Sequence, residues 1–283
     1  MESLEAAERA RTGGDNRTQL DLALRRIDLF VTAARQEEAL SAIDAVLPRM
    51  AILPADDPLH VDIRAAEGEA AMRLGHFERA EKALAEAEAR IRRLRGTDSP
   101  DLYLVIQNQA ILFRQRGDFA RALALQRQVL DWQEARFGRT HPETLRTLNE
   151  LASMLQDDRQ HAAAEALFRE VLAERERRLG VGDVLTRNSL NNLGLVLSLQ
   201  GKLDEAEVHY RRALDVERGL FGADAFDVLV LAHNLAGLLR KRDDLAGAEA
   251  LARDTVERAE RTLSAARYEP ALFRVGLAQT LQR

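Results

Sequence analysis

The apolar positions of the chain repeat on two scales. Locally they trace one face of a helix: Leu148, Leu151, Ala152 and Leu155 are spaced by three, one and three residues, and Leu190, Leu193, Gly194 and Leu197 repeat that spacing. At long range the pattern returns every 42 residues, with Ala80, Ala122, Ala164, Ala206 and Ala248 at one phase and Gly96, Gly138, Gly180 and Gly222 at another. A fixed period of this length predicts stacked helical hairpins, none of which can bury its apolar face alone.

Five repeats follow without a gap: 57–98, 99–140, 141–182, 183–224 and 225–266. Each opens on a helix-start signal, namely Asp57-Pro58, Ser99-Pro100, Thr140-His141-Pro142, Asp183 and Asp224. The first helix of each repeat, helix A, is expected to end at Gly75, Gly117 and Gly201, with Arg159 and Asp243 in that place in the third and fifth repeats. Helix B then starts inside the turn. The recurring alanine has to be small because A and B approach most closely there, so Ala164→Leu should overpack the hairpin. In the first repeat Arg64 and Glu67 stand where the third has Leu148 and Leu151, so packing shifts to Ile63, Ala66, Ala70 and Leu74. Gln109 takes the place of Leu151 in the second, and Ser264 that of the closing glycine in the fifth. Phe119, Phe168 and Tyr210 are assigned to the hairpin core, and Trp132 to packing between adjacent repeats, with a partner hot spot as its alternative.

Outside the repeats, residues 1–18 read as a polar tail containing Gly13-Gly14. Residues 19–56 read as a divergent N-terminal capping hairpin with helices at 19–34 and 37–47. Its turn, Arg35 to Ala39, is shifted by one residue, since Ala39 lies 41 positions before Ala80. Residues 267–283 form a C-terminal cap, with a helix at 270–282 covering the open end of the array.

The run Leu190-Asn191-Asn192-Leu193-Gly194, the turn Gly201-Lys202-Leu203-Asp204-Glu205-Ala206, Tyr210, and the terminators Gly180 and Gly222 resemble tetratricopeptide repeats of the kinesin light chain kind, a 42-residue subtype. The resemblance implies an all-α fold, a right-handed solenoid of antiparallel helix hairpins whose A helices line a concave groove. The residues then expected to meet a partner are Gln107, Asn108 and Arg114; Arg146 and Asn149; Asn188, Asn191 and Asn192; and His233, Asn234, Arg240 and Lys241. Glu150 and Gln156 lie on the same face. Asparagines at such positions take part in holding peptides in kinesin light chain-like arrays, and Asn149, Asn191 and Asn234 fall within the matching motif. Asn234 is one position late, with His233 in register. An amide side chain both donates and accepts, which suits it to clamp a peptide backbone, and the flanking arginines can pair with carboxylates. The alternative is that these asparagines pair with the backbone of the neighbouring repeat and fix its stacking.

Composition narrows the function. A net charge of −5 gives no general attraction to nucleic acid or an anionic membrane. No apolar run approaches the roughly 20 residues of a spanning helix, and the first 20 residues are too polar for a signal peptide, which together point to the cytoplasm. Cysteine is absent, excluding thiolate catalysis, disulfides and Cys-ligated zinc. Only Lys82, Lys202 and Lys241 are lysine among 41 basic residues, a bias that suggests a GC-rich bacterial genome.

Chemistry is sparse. The six histidines show no metal-ligand spacing, phosphate-binding loops are missing, and no nucleophile has a base in reach. The carboxylates of Glu165/Arg169, Glu174/Arg178 and Glu207/Arg211 have the i, i+4 order of a solvated helix face. Arg92 to Arg95 and Arg175 to Arg178 close B helices, where cations favour the helix dipole. No catalytic residue, metal or cofactor is expected. The reading is a non-catalytic scaffold holding an extended peptide or a helix of another protein. Its alternatives are a regulatory or sensor module acting with a kinase, NTPase or protease, and a structural subunit that self-assembles through its end helices.

Overall fold

In the computed structural model, residues 2–262 and 269–282 are described and form thirteen helices joined by short turns, with no strand among them. They fall into two compact units, Met1–Arg136 and Phe137–Arg283. The N-terminal unit is built from α1 (Glu2–Thr32), α2 (Gln36–Met50), α3 (Leu59–Arg73), α4 (Phe77–Arg95), α5 (Pro100–Gln115) and α6 (Phe119–Phe137). The C-terminal unit holds α7 (Pro142–Asp157), α8 (His161–Leu179), α9 (Val184–Leu199), α10 (Leu203–Phe221), α11 (Phe226–Lys241), α12 (Leu245–Thr262) and α13 (Glu269–Leu281). Consecutive helices pair as hairpins, and within a unit each A helix also packs on the next.

Caps set the helix starts. Asp57 Oδ1 accepts from the Leu59 amide at 3.0 Å, His141 Nδ1 from the Glu143 amide at 3.3 Å, and Asp183 Oδ1 from the Leu185 amide at 2.8 Å. Asp224 departs from the expected role. Ala225 occupies the cap position of α11, and Asp224 instead receives Arg258 and Arg261 from α12 at 2.9 Å.

The two glycine phases solve different steric problems. Gly75, Gly117 and Gly201 turn from A to B with φ between 75° and 77°, and Arg159 and Asp243 reach φ of 60° and 66° at the same place. That left-handed region is uncommon but open to other residues. The closing glycines Gly96, Gly180 and Gly222 combine φ of 81°, 77° and 83° with ψ of −177°, 168° and 165°, a region that is essentially glycine's alone. This explains why the turn glycine is replaceable and the closing glycine recurs. Ser264, expected to close the fifth repeat, lies outside the described residues.

Ala80, Ala122, Ala164, Ala206 and Ala248 are all fully buried. Sixteen positions before the B-helix core residue, helix A presents a small side chain. A Cβ on Gly194 would lie 3.0 Å from the Tyr210 ring, and one on Gly68 would lie 2.5 Å from Leu84 Cγ. Ile63, Ala66 and Ala70 are buried in α3, and Glu67 is buried beside them, held by Arg64 and by Arg79 Nε at 2.7 Å. Gln109 reaches back to Glu88 at 2.8 Å. Trp132 stacks on Tyr103 of its own repeat, with ring centroids 4.3 Å apart, and donates to Asp98 at 2.7 Å.

One expectation is corrected. In place of a polar tail over residues 1–18, α1 is helical from Glu2 and continues through Gly13 and Gly14. Its Ala-, Glu-, Leu- and Arg-rich sequence favours helix strongly enough to offset two glycines. Arg175, in the C-terminal part of α8 as expected, is only 4% exposed and donates to the Ser189 hydroxyl at 2.8 Å and the Leu185 carbonyl at 3.1 Å.

Candidate binding faces on the A helices

One helix A phase passes through Ala65, Gln107, Asn149, Asn191 and His233, and the next through Ala66, Asn108, Glu150, Asn192 and Asn234. In the N-terminal unit this face is open. Helices α1, α3 and α5 line a cavity of about 600 Å³. Leu24 and Val31 from α1, Val61, Ala65 and Ala66 from α3, and Val105 from α5 give it an apolar floor, and Gln107 and Asn108 are part of its wall. Leu104, also lining it, is 59% exposed. Four carboxylates converge there from three helices: Asp28, Asp62, Glu69 and Asp101. Partial burial pushes the Asp28 carboxyl above its ordinary pKa, reinforced by Glu69. Asp62 is raised by burial as well; Arg95 opposes the shift, while Asp101, Asp28 and Asp57 add to it.

The same face is filled in the C-terminal unit. Asn192 donates to Asn149 Oδ1 at 3.3 Å, Asn234 to Asn191 Oδ1 at 2.9 Å, and Lys241 to the Ser198 hydroxyl at 3.0 Å. Each bond joins residues 43 apart, one more than the period, because adjacent A helices meet diagonally. That offset gives Asn234 its late position in the repeat. The asparagines therefore pair with neighbouring asparagine side chains, where the alternative raised from sequence had them pairing with backbone.

Arg146 is held by Glu143 at 3.1 Å and Glu150 at 2.6 Å. His233 lies beneath α13: its ring meets Phe273 edge-on at 5.6 Å, and Gly276 passes so close that a Cβ there would fall 2.4 Å from His233 Cε1. Burial holds the His233 imidazole below its ordinary pKa. Asn188, Arg240 and Lys241 are exposed, and Arg114 is half-buried in the last turn of α5.

Glu165 is more than a solvated partner of Arg169. It is 8% exposed and accepts from Lys202 at 2.6 Å, Gln200 at 2.7 Å and Arg169 at 2.9 Å. Burial alone would raise its pKa, but these donors outweigh it and hold the carboxyl at about 2. Among the described residues no group of three or more His, Asp or Glu side chains could hold a metal ion, and no helix is long and apolar enough to cross a membrane.

The acidic positions were not anticipated, although one signal for them exists. Moving back from Arg146 by whole periods lands on Leu104 and then Asp62. The α1 contribution has no such signal, since α1 is out of register with the repeats.

Hairpins with small residues at the A/B approach, stacked at a constant period, define a helical-repeat protein. The Tetratricopeptide repeat family matches residues 102–177 and 185–261, and the chain belongs to that family. No curated protein matches it in sequence. Solved structures share the fold. The nearly identical TPR-like repeats of a kinesin light chain from Podosopora anserina are 19% identical, with 74% of this chain and 99% of that one covered and a TM-score of 0.65. The apo quorum sensor NprR from B. thuringiensis is 13% identical over 99% of this chain and 76% of its own, with a TM-score of 0.69. NprR in complex with its cognate peptide NprX is 14% identical over 93% and 71%, with a TM-score of 0.61. At these identities the likeness is one of fold.

Proposed function

We propose that the chain is a non-catalytic protein-interaction scaffold that holds a peptide segment of a partner against its A helices, chiefly in the α1/α3/α5 groove. The observation that carries this reading is the open cavity of about 600 Å³ with an apolar floor, which has the size and lining of a ligand site. Gln107 and Asn108 are the amide contacts for that segment. Asn149, Asn191, Asn192 and Asn234 serve mainly to register one repeat on the next, and Arg114, Arg146, Asn188, His233, Arg240 and Lys241 are secondary candidates for contact. The partner is a protein or peptide, met in the cytoplasm without a cofactor.

Ala65→Trp tests the reading by filling the groove from its floor. Peptides selected from a displayed library against the wild type should lose binding to this variant at unchanged melting temperature. Retention of the same peptides at the same affinity would remove the groove from the mechanism.

The fold likeness to the quorum sensor NprR supports a second reading, a sensor segment whose effector is another protein. Peptide binding that alters how the chain engages a kinase, NTPase or protease would favour it over a passive scaffold. Light scattering across concentrations checks the remaining option, self-assembly through the end helices; a strict monomer eliminates it.

A further inference from the structure

We infer that the N-terminal groove selects a cationic amphipathic peptide, one that presents Arg or Lys beside apolar side chains. This deepens the scaffold reading and rests on it. Three helices send Asp28, Asp62, Glu69 and Asp101 to a single opening, and among the described residues no lysine or arginine lines it. Glu69 pairs outside the groove with Arg73 at 3.0 Å, and Asp101 pairs with Arg95. Asp28, exposed at the groove's rim, and half-buried Asp62 make no ion pair among the described residues, whereas the buried carboxylates Asp57, Glu67, Glu165 and Glu217 are all held by cations.

The floor argues for a peptide over a simple cation. An ammonium or metal ion would leave the apolar floor and the 59% exposed Leu104 uncovered. Arginine and lysine carry an alkyl stem beneath a charged head, so the stem can lie on the half-buried Leu24 and Ala65 while the head reaches the carboxylates. An adjacent leucine or valine of the same peptide would cover Leu104. Burial and mutual repulsion hold Asp28 and Asp62 above the usual carboxylate range, and a bound cation relieves both effects. The C-terminal unit does not repeat the set: the positions matching Asp62 are Arg146, Asn188 and Val230, those matching Glu69 are Ser153, Leu195 and Gly237, and those matching Ala65 are Asn149, Asn191 and His233.

The test is fluorescence anisotropy with a fluorescein-labelled peptide of alternating Arg and Leu, run beside the same peptide with Gln for Arg. Wild type is compared with Asp28→Asn/Asp62→Asn, with Ala65→Trp, and with the equally charged control Asp131→Asn/Asp204→Asn, all verified as folded by circular dichroism. The Arg-Leu peptide should bind wild type and the control alike. It should bind about tenfold or more weakly to Asp28→Asn/Asp62→Asn, and lose affinity as salt rises. Equal binding of the Gln-Leu peptide, with loss on Ala65→Trp, would overturn the charge selection and leave the groove reading standing. Failure of both peptides to bind, or binding that Ala65→Trp leaves unchanged, would overturn both. Displacement by spermine as effective as by unlabelled peptide would show a cation site, and the peptide proposal would fall.

Discussion

The two units carry the same helix A phase and use it in opposite ways. In the N-terminal unit the phase begins with Ala65 and Ala66, whose small side chains leave room between α1, α3 and α5. In the C-terminal unit it is occupied by Asn149, Asn191 and His233. The two asparagines are bonded to Asn192 and Asn234 on the next A helix, and His233 is covered by Phe273 and Gly276 of α13. An amide oxygen already bonded by its neighbour gains less from a ligand, since one hydrogen bond there is exchanged for another. A periodic polar residue is thus evidence first of stacking between repeats. The recognition proposed for this chain falls where the period loses its side chain and a cavity opens.

That contrast can be broken most forcefully at α13. Phe273 is 2% exposed and shares a small core with Leu229, Val256 and Ala259. Phe273→Ala should weaken α13 docking by about 3–5 kcal/mol, read as lost hydrogen-exchange protection along Glu269–Leu281 and a sharper response of His233 to solvent. If α13 keeps its protection, the C-terminal face is not closed by this contact and the contrast fails there. The next effect is in the ladder. Asn149→Ala/Asn191→Ala/Asn192→Ala removes both side-chain bonds and should cost about 2 kcal/mol in all, lowering the melting temperature by about 5 °C. Binding of groove ligands should be unaffected. Loss of binding at an unchanged melting temperature would make the ladder the recognition face and invert the comparison.

Glu165 supplies a smaller, pH-dependent test in the C-terminal unit. Its folded pKa is depressed to about 2, so its contribution is complete above the unfolded carboxylate value and is lost as pH falls toward that folded value. Glu165→Gln should therefore destabilise the protein near neutral pH by about 1 kcal/mol, given partly exposed cationic partners. The deficit should shrink below about pH 4.5. A deficit that persists into acid would mean that shape, not charge, accounts for it.

Much of the repeat architecture could be read in advance because its causes are local. Helices α5, α7 and α9 begin at residues 100, 142 and 184, each where a cap or proline signals the start, and α11 keeps the period at 226 with Ala225, which makes no side-chain cap bond, at its cap position. The distinction between the two glycine phases needed backbone angles, since ψ near 180° and ordinary left-handed φ both read as glycine. The α1 helix was hidden by Gly13-Gly14, which suggest a break in any short window. At the site, the polar half of the period was legible from Gln107 to Lys241, and stacking was one of the two roles it suggested, but the side-chain partners of the asparagines were not legible. The 43-residue bonding offset depends on how neighbouring helices lean, which no single repeat encodes. The open groove was the least legible feature. Ala65 and Ala66 read as ordinary helix formers, and a cavity comes from side chains that are not there.

The smallest expected effect isolates the acidic groove from any ligand. Asp62 is half-buried, and its carboxyl is raised by burial and by Asp101, Asp28 and Asp57 in spite of Arg95. A group that binds its proton more tightly folded than unfolded lowers stability once pH exceeds both values, and that penalty disappears on acidification through the folded pKa to the unfolded one. Asp62→Asn removes the charge and keeps the shape. It should raise stability at neutral pH by less than about 1 kcal/mol, and the gain should vanish as pH falls below the ordinary aspartate value near 3.8. This sign is opposite to that of Glu165→Gln, so melting temperatures of both variants across one pH series set the two units against each other. If Asp62→Asn instead destabilises the protein at neutral pH, Arg95 neutralises Asp62 within the fold. The groove would then lack the unpaired charge that distinguishes it from the asparagine-paired face of the C-terminal unit.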